Sequence, residues 1–276
     1  MNIALSAWSC HSYYQQGWSN TQFIEFAATT AADGVELISV YWDKENDLEQ
    51  VREALARTGL KLACFGACNN FAEPDAAKRA EQLADITRSI DIAAALGAKT
   101  VRVFAGDLRE GLGFEEVRQW IIEGLKDASA YAASHDIMLC LENHGLLAGK
   151  ADQVSAIISD VDSPNLRSTF DAGNFLLVDE DPSKEISKLK QLVKHVHVKD
   201  FVQVNEDYDG KFYRSLSGQP FAGRVAGEGV VDLPFILQEL KEVGYEGWYT
   251  IEYEGNEEQQ SASQRALTKL AEFLQG

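Results

Sequence analysis

Positive charge is what this chain is short of. Its 276 residues hold 25 Lys and Arg against 43 Asp and Glu, a formal net charge of −18. Such a surface repels phosphate backbones, so no nucleic-acid partner is expected. Cysteine is sparse too. Cys64 and Cys68 stand four apart and not as a CxxC pair, and Cys10 and Cys140 sit in apolar, strand-like runs. Buried free thiols are expected, with no disulfide framework. No apolar run is long enough for a membrane span, and residues 1–8 lack a basic region ahead of an apolar stretch. The expectation is no leader, no membrane and a reduced, cytoplasmic setting. With only five prolines, no proline-rich linker divides the chain.

What is present is a regular alternation. Strands are expected at 3–8, 34–38, 60–65, 100–104, 137–142, 166–171, 195–199 and 248–252. Amphipathic helices are expected at 21–32, 48–57, 73–96, 115–134, 151–159, 182–192, 233–243 and 261–274. Asn20 is placed to cap the first helix, and Gly59 and Gly97 to stop the second and third. Eight strand–helix units in a chain of this length predict an α/β protein, a single (β/α)8 barrel spanning 1–276. A doubly wound open sheet would carry a glycine-rich phosphate turn after its first strand. That position reads Ser9-Cys10-His11-Ser12-Tyr13-Tyr14. One connection is out of scale, a lid-like loop at about 201–230, rich in glycine and aromatics.

The chemistry gathers at strand ends. In His195-Val196-His197-Val198-Lys199-Asp200, strict alternation puts His195, His197 and Lys199 on one face and the two valines on the other. Burying those polar groups is costly unless they are satisfied. The strand-five stretch ends at Glu142 with His144 beyond it, strand six ends at Asp171, strand seven brings His197, and strand eight ends at Glu252. A barrel puts its working groups at the C-terminal ends of its strands, so these four share one rim. Three carboxylates converging without a cation would repel. A divalent metal removes that conflict, and a set of three oxygens and one nitrogen suits Mn2+, Mg2+, Co2+ or Zn2+, with oxygen-rich ligation leaning toward Mn2+ or Mg2+. Glu36 and Arg102 would point inward from strands two and four, which share a barrel layer, and a buried ion pair between them is expected.

Five stretches together resemble one family. They are Leu141-Glu142-Asn143-His144-Gly145, Phe170-Asp171-Ala172-Gly173-Asn174, His195 to Asp200, Gly227-Glu228-Gly229-Val230-Val231-Asp232, and Gly244-Tyr245-Glu246-Gly247 followed by Ile251-Glu252. The chain is similar in these to the xylose isomerase-like barrel superfamily of sugar isomerases, epimerases and inosose dehydratases. The resemblance implies one metal, Mn2+ or a similar ion, held by Glu142, Asp171, His197 and Glu252, with Glu142 and Glu252 also the acid/base pair. It implies that Arg224, ahead of the Gly227-Glu228-Gly229 turn, contacts substrate. Members with further metals carry a histidine where this chain has Asn174, so one metal is expected.

The remaining expectations concern the pocket. His144, Asn174, Lys199, Trp8 and His11 are candidate substrate contacts, with Asn69 and Phe104 as further wall residues. The expected partner is a small carbohydrate, and homo-oligomerisation is compatible with all of this. A metal-bound keto sugar would lose a proton to one glutamate and regain one from the other through an enediolate, giving epimerisation or isomerisation. Loss of a β-hydroxyl would instead give dehydration of a keto sugar or keto-cyclitol. A non-catalytic sugar-binding barrel is the alternative of another class.

Overall fold

The computed structural model describes residues 2–109, 111–112 and 114–275. Its strands in chain order are β1 (Ile3–Ser6), β2 (Gly34–Ile38), β3 (Lys61–Gly66), β4 (Thr100–Val103), β5 (Met138–Glu142), β6 (Leu166–Asp171), β7 (Val193–Val198), β8 (Asp200–Gln203), β9 (Tyr213–Arg214), β10 (Pro220–Arg224) and β11 (Tyr249–Ile251). Eight of them close into a parallel barrel in the order β1-β11-β7-β6-β5-β4-β3-β2. Helices between the strands wrap the outside, so this is the expected (β/α)8 barrel. None of the helices among the described residues is long and apolar enough to cross a membrane.

Local chemistry sets the helix ends. Ser19, not Asn20, caps Asn20–Ala27 through a capping box with Gln22. Asn20 instead turns its amide to Asp47 Oδ2 (2.7 Å) and the Tyr41 carbonyl (3.1 Å). That helix is shorter than expected, and the chain leaves it before Thr29 and Thr30, whose hydroxyls bond the carbonyls three residues back. Gly59 ends Asp47–Thr58 at φ +77°, a conformation that only glycine adopts without strain. Asp75, Asp181 and Asp232 cap later helices by accepting backbone N–H bonds.

Register positions the functional side chains. Pairing of β6 with β7 shifts at Ser168/Thr169, and Asp171 then lies directly beside His197. On the other side of β7, Thr250 pairs with His197, so Glu252 projects from the same rim two residues further on. Asn143 stitches β5 to β6: its side chain accepts from Asp171 N (2.7 Å) and donates to Asp171 O (2.9 Å).

The long connection after β7 contains structure of its own. β8, β10 and β9 form a three-stranded antiparallel sheet in that order. Buried Asp200 is its keystone, accepting backbone N–H bonds from Phe201, Gly227, Gly229 and Val231 at 2.8 to 3.1 Å. At Gly229 a Cβ would stand 2.1 Å from Asp200 Oδ1, so only glycine permits that approach.

Candidate active site

Four side chains from adjacent strand ends converge at the C-terminal rim. One ligand-type atom from each of Glu142, Asp171, His197 and Glu252 lies within 4.8 Å of the others, and all four residues are buried. His197 Nδ1 stands 3.6 Å from Glu142 Oε1, 3.7 Å from Asp171 Oδ2 and 3.6 Å from Glu252 Oε2. Nδ1 has no hydrogen-bond partner. Its ring is fixed from behind, because Nε2 meets both Glu36 oxygens at 3.1 Å. Glu36 Oε2 also bonds His195 Nε2 at 2.6 Å, and all three residues are fully buried.

This arrangement corrects the expected Glu36–Arg102 pair. Glu36 serves the two histidines, whereas Arg102 Nε approaches Glu142 Oε2 at 3.1 Å. That approach is close enough for charge pairing but is not a well-aligned hydrogen bond. Arg102 also donates to the Ala67 carbonyl at 2.8 Å and lies 4.1 Å above the Phe104 ring. Alternation along a strand says which face a residue takes, not which neighbour across the barrel it meets.

The remaining oxygens are held individually. Asp171 Oδ1 accepts from Gly173 N and Asn174 N, both at 2.9 Å. Glu142 Oε1 accepts from Asn174 Nδ2 at 3.1 Å, and Ser6 Oγ reaches Glu252 Oε1 at 3.5 Å. Lys199 Nζ sits among carboxylates, 2.6 Å from Glu252 Oε2, 2.8 Å from Glu254 Oε1 and 3.0 Å from Asp171 Oδ2. Glu254 in turn accepts from the Tyr213 hydroxyl of β9.

The electrostatics follow from burial set against these neighbours. Burial alone would push the Glu142 carboxyl up, but the His197 and Arg102 charges outweigh it and hold it below the usual range. Glu252 goes the other way. Burial raises it to about 7, against the opposing pull of Lys199 and His197. Burial disfavours a charged His197 imidazole, yet Glu36, Glu252 and Glu142 outweigh it and hold that ring well above its ordinary value. The centre therefore favours positive charge.

Those facts test a cation. The chemistry of the donor set, three carboxylates and one imidazole, fits a divalent ion. The orphaned Nδ1 faces that set, and a carboxylate behind the imidazole is the arrangement that fixes a ligating histidine. Glu142, Asp171, His197 and Glu252 are thus the residues that could hold it.

A cavity of about 370 Å³ opens above the cluster, lined among others by Trp8, Phe104, His144, Lys199, Lys211 and Tyr213. Of the expected substrate contacts, Trp8, His144 and Lys199 line it. His11 stacks on Trp8 and meets the Gln259 amide at 2.8 Å, outside the lining. Asn174 bonds Glu142, the Asn143 carbonyl and Lys199 and does not line it. Arg224 leans on Tyr208, 3.4 Å from its hydroxyl, also away from the cavity. Asn69 clamps the Phe104 backbone at 2.7 and 3.0 Å and is not wall either. Cys10, Cys64 and Cys140 are buried free thiols as expected, but Cys68 is exposed on the cavity wall. Lys211 and Tyr213 also line the cavity, and nothing in a glycine-rich loop announces the two-residue strand at Tyr213; Glu254 lines it too, two residues beyond Glu252. A larger cavity, about 730 Å³, lies at the other end of the barrel against Leu237, Tyr245 and Phe273. No metal-type cluster accompanies it among the described residues.

A closed (β/α)8 barrel with a buried carboxylate–imidazole cluster at its C-terminal rim defines the class. The chain belongs to the xylose isomerase-like TIM barrel family, whose model matches residues 24–272. It is 29% identical over 104 residues to an inosose dehydratase of Lacticaseibacillus casei, covering 37% of this chain and 35% of that protein. Across the inosose dehydratases it matches, it spans about a third to a half of their length. It is 21% identical over 244 residues to a 2-oxo-tetronate isomerase of Cupriavidus necator, covering 84% of this chain and 86% of the relative. A solved D-tagatose 3-epimerase-like protein superposes with a TM-score of 0.80 at 22% identity, covering all of this chain and 97% of the other.

Proposed function

We propose that this chain is a divalent-cation-dependent enzyme that moves a proton at a carbon beside a carbonyl of a keto sugar or related polyol, as an isomerase or epimerase. The observation that carries the reading is His197 Nδ1. It is buried and unbonded, 3.6 to 3.7 Å from three carboxylate oxygens, with its far nitrogen anchored by Glu36. A divalent cation, Mn2+ by the oxygen-rich donor set, would be held by Glu142, Asp171, His197 and Glu252 and would polarise a carbonyl and its neighbouring hydroxyl.

The two glutamates supply the proton chemistry. They come from β5 and from the end of β11, with β6 and β7 between them in the barrel. They therefore flank the cluster from its two ends, as removal and return of a proton on opposite faces requires. Their environments are unlike: burial lifts the Glu252 carboxyl, while the His197 and Arg102 charges hold that of Glu142 down, which suits one acid and one base. Return to the same carbon inverts it, and return to the neighbouring carbon moves the carbonyl. Trp8, Phe104 and Tyr213 offer apolar faces to a sugar, while Lys199 and His144 offer polar contacts to its oxygens.

A second reading is dehydration of a keto-cyclitol or keto sugar. It starts with the same proton loss and ends with departure of a β-hydroxyl, and the similarity to inosose dehydratases favours it. One experiment tests the common step. Keto sugars and inososes are incubated with the protein and Mn2+ in D2O. Deuterium is expected at the carbon beside the carbonyl, and chelator should abolish its entry. No incorporation across a broad panel would favour a sugar-binding barrel without catalysis.

A further inference from the structure

The Lys199 ammonium has no reaction step assigned to it, and its position is unusual. It is buried, and it touches two of the oxygens that face His197 Nδ1: Glu252 Oε2 at 2.6 Å and Asp171 Oδ2 at 3.0 Å. Two further acceptors lie within its reach, Glu254 Oε1 at 2.8 Å and Asn174 Oδ1 at 3.2 Å. Neither belongs to the four-residue cluster. Glu254 is itself held by the Tyr213 hydroxyl, and the segment after it is bridged to β10 through Gly223 and Gly255. At Gly223 a Cβ would meet the Glu254 carbonyl carbon at 2.5 Å, so that approach depends on glycine.

We propose that Lys199 is an internal counter-cation of the carboxylate cluster, competing with the divalent cation for Asp171 and Glu252, and that Glu254 is the positioning residue that keeps the ammonium when it yields. This rests on the cation reading above. The physical case is charge. Five buried or nearly buried carboxylates, Glu36, Glu142, Asp171, Glu252 and Glu254, share the barrel interior with two fixed cations, Arg102 and Lys199, and with the His195 and His197 imidazoles. Without a dication the cluster needs the lysine, because unpaired buried carboxylates are costly. With a dication present the same ammonium is a like charge against the same oxygens. Retreat toward Glu254 and Asn174 lowers that repulsion without exposing a buried charge to an apolar wall. The sheet formed by β8, β10 and β9 thereby reaches the cluster, because Tyr213 sets where Glu254 stands.

The test is Mn2+ titration of the metal-free full chain by calorimetry, for wild type, Lys199→Met, Glu254→Gln and the double variant. Lys199→Met should bind Mn2+ more tightly, by about tenfold, which is about 1.4 kcal/mol of relieved competition. Glu254→Gln should bind more weakly, and most of that loss should vanish in the double variant, where no ammonium remains to be kept. A gain of affinity is not what a damaged scaffold produces. Unchanged or weaker binding by Lys199→Met overturns the proposal. If Lys199→Met fails to fold, Glu254→Gln decides alone: affinity equal to or above wild type overturns it. Tight binding by wild type with no gain in Lys199→Met leaves the cation reading standing. Absence of Mn2+ binding in every variant removes both.

Discussion

Glu36 is the residue whose role depends most on the closed barrel. It sits on β2, across the barrel from β7, and its two oxygens hold the imidazoles of His195 and His197. The His197 charge and the hydrogen bond to His195 hold its carboxyl well below the usual range, outweighing complete burial. Its loss leaves His197 Nε2 without an anchor and the ring free to turn Nδ1 away. Glu36→Gln should therefore weaken Mn2+ binding by about 10- to 100-fold, the usual effect of removing such a support. His197→Ala should abolish binding, and equal Mn2+ content in both variants and wild type would place the cation elsewhere. The four cluster residues were legible in the sequence, because a strand end in this fold faces one rim whatever the details of packing. Glu36 was legible only as an inward residue. Its partners depend on a register shift at Val35/Glu36 between β2 and β3 and another between β6 and β7, and no local pattern encodes either.

At the scale of elements, the C-terminal helix (Gln259–Gln275) closes the barrel wall beside β1, and Glu258 organises its start. The carboxylate accepts from Gln260 N and Ser261 N, both at 2.9 Å, and from the Tyr13 hydroxyl at 2.5 Å. Burial would raise it, but these donors outweigh that and bring it to about 2. A carboxyl whose folded value lies below its unfolded value of about 4.3 stabilises the fold above that value. The contribution is lost as pH falls from about 4.3 toward 2. Glu258→Ala should cost about 1 kcal/mol at pH 7, the usual effect of a lost cap on an exposed helix start. Urea midpoints of variant and wild type should converge as pH falls below about 4. A gap that stays constant down to pH 3 would mean that the charge contributes nothing. The same chemistry explains why helix ends were harder to place than helices. A capping box at Ser19 and hydroxyls at Thr29 and Thr30 moved both ends of one helix, while the apolar stripe fixed only its middle.

At the scale of the whole molecule, the barrel supplies the cluster and the small sheet supplies a wall of the cavity. The two are tied at Asp200, at the Gly223–Gly255 bridge and at Asn256, whose amide bonds Lys211 N and O at 2.8 and 2.9 Å. The expected lid is thus a stitched sheet. Its aromatic content was visible in the sequence, but its pairing was not, since β9 has only two residues and its partner Pro220 lies beyond a turn. β8 and β10 pair antiparallel with Gln203 opposite Phe221. An Asn-Gly turn joining those two positions, in place of 204–220, would keep a hairpin and remove β9, Lys211 and Tyr213 together. We expect this variant to keep the barrel by circular dichroism, because Asp200 and its bonds to 227, 229 and 231 remain. With the wall gone, water enters and Glu254 loses the Tyr213 hydroxyl. The rate of deuterium entry into a substrate found in the D2O panel should fall by about tenfold or more, and competing products of the intermediate should rise. Full activity with a single product in the shortened chain would show that the sheet neither covers the substrate nor positions the cluster.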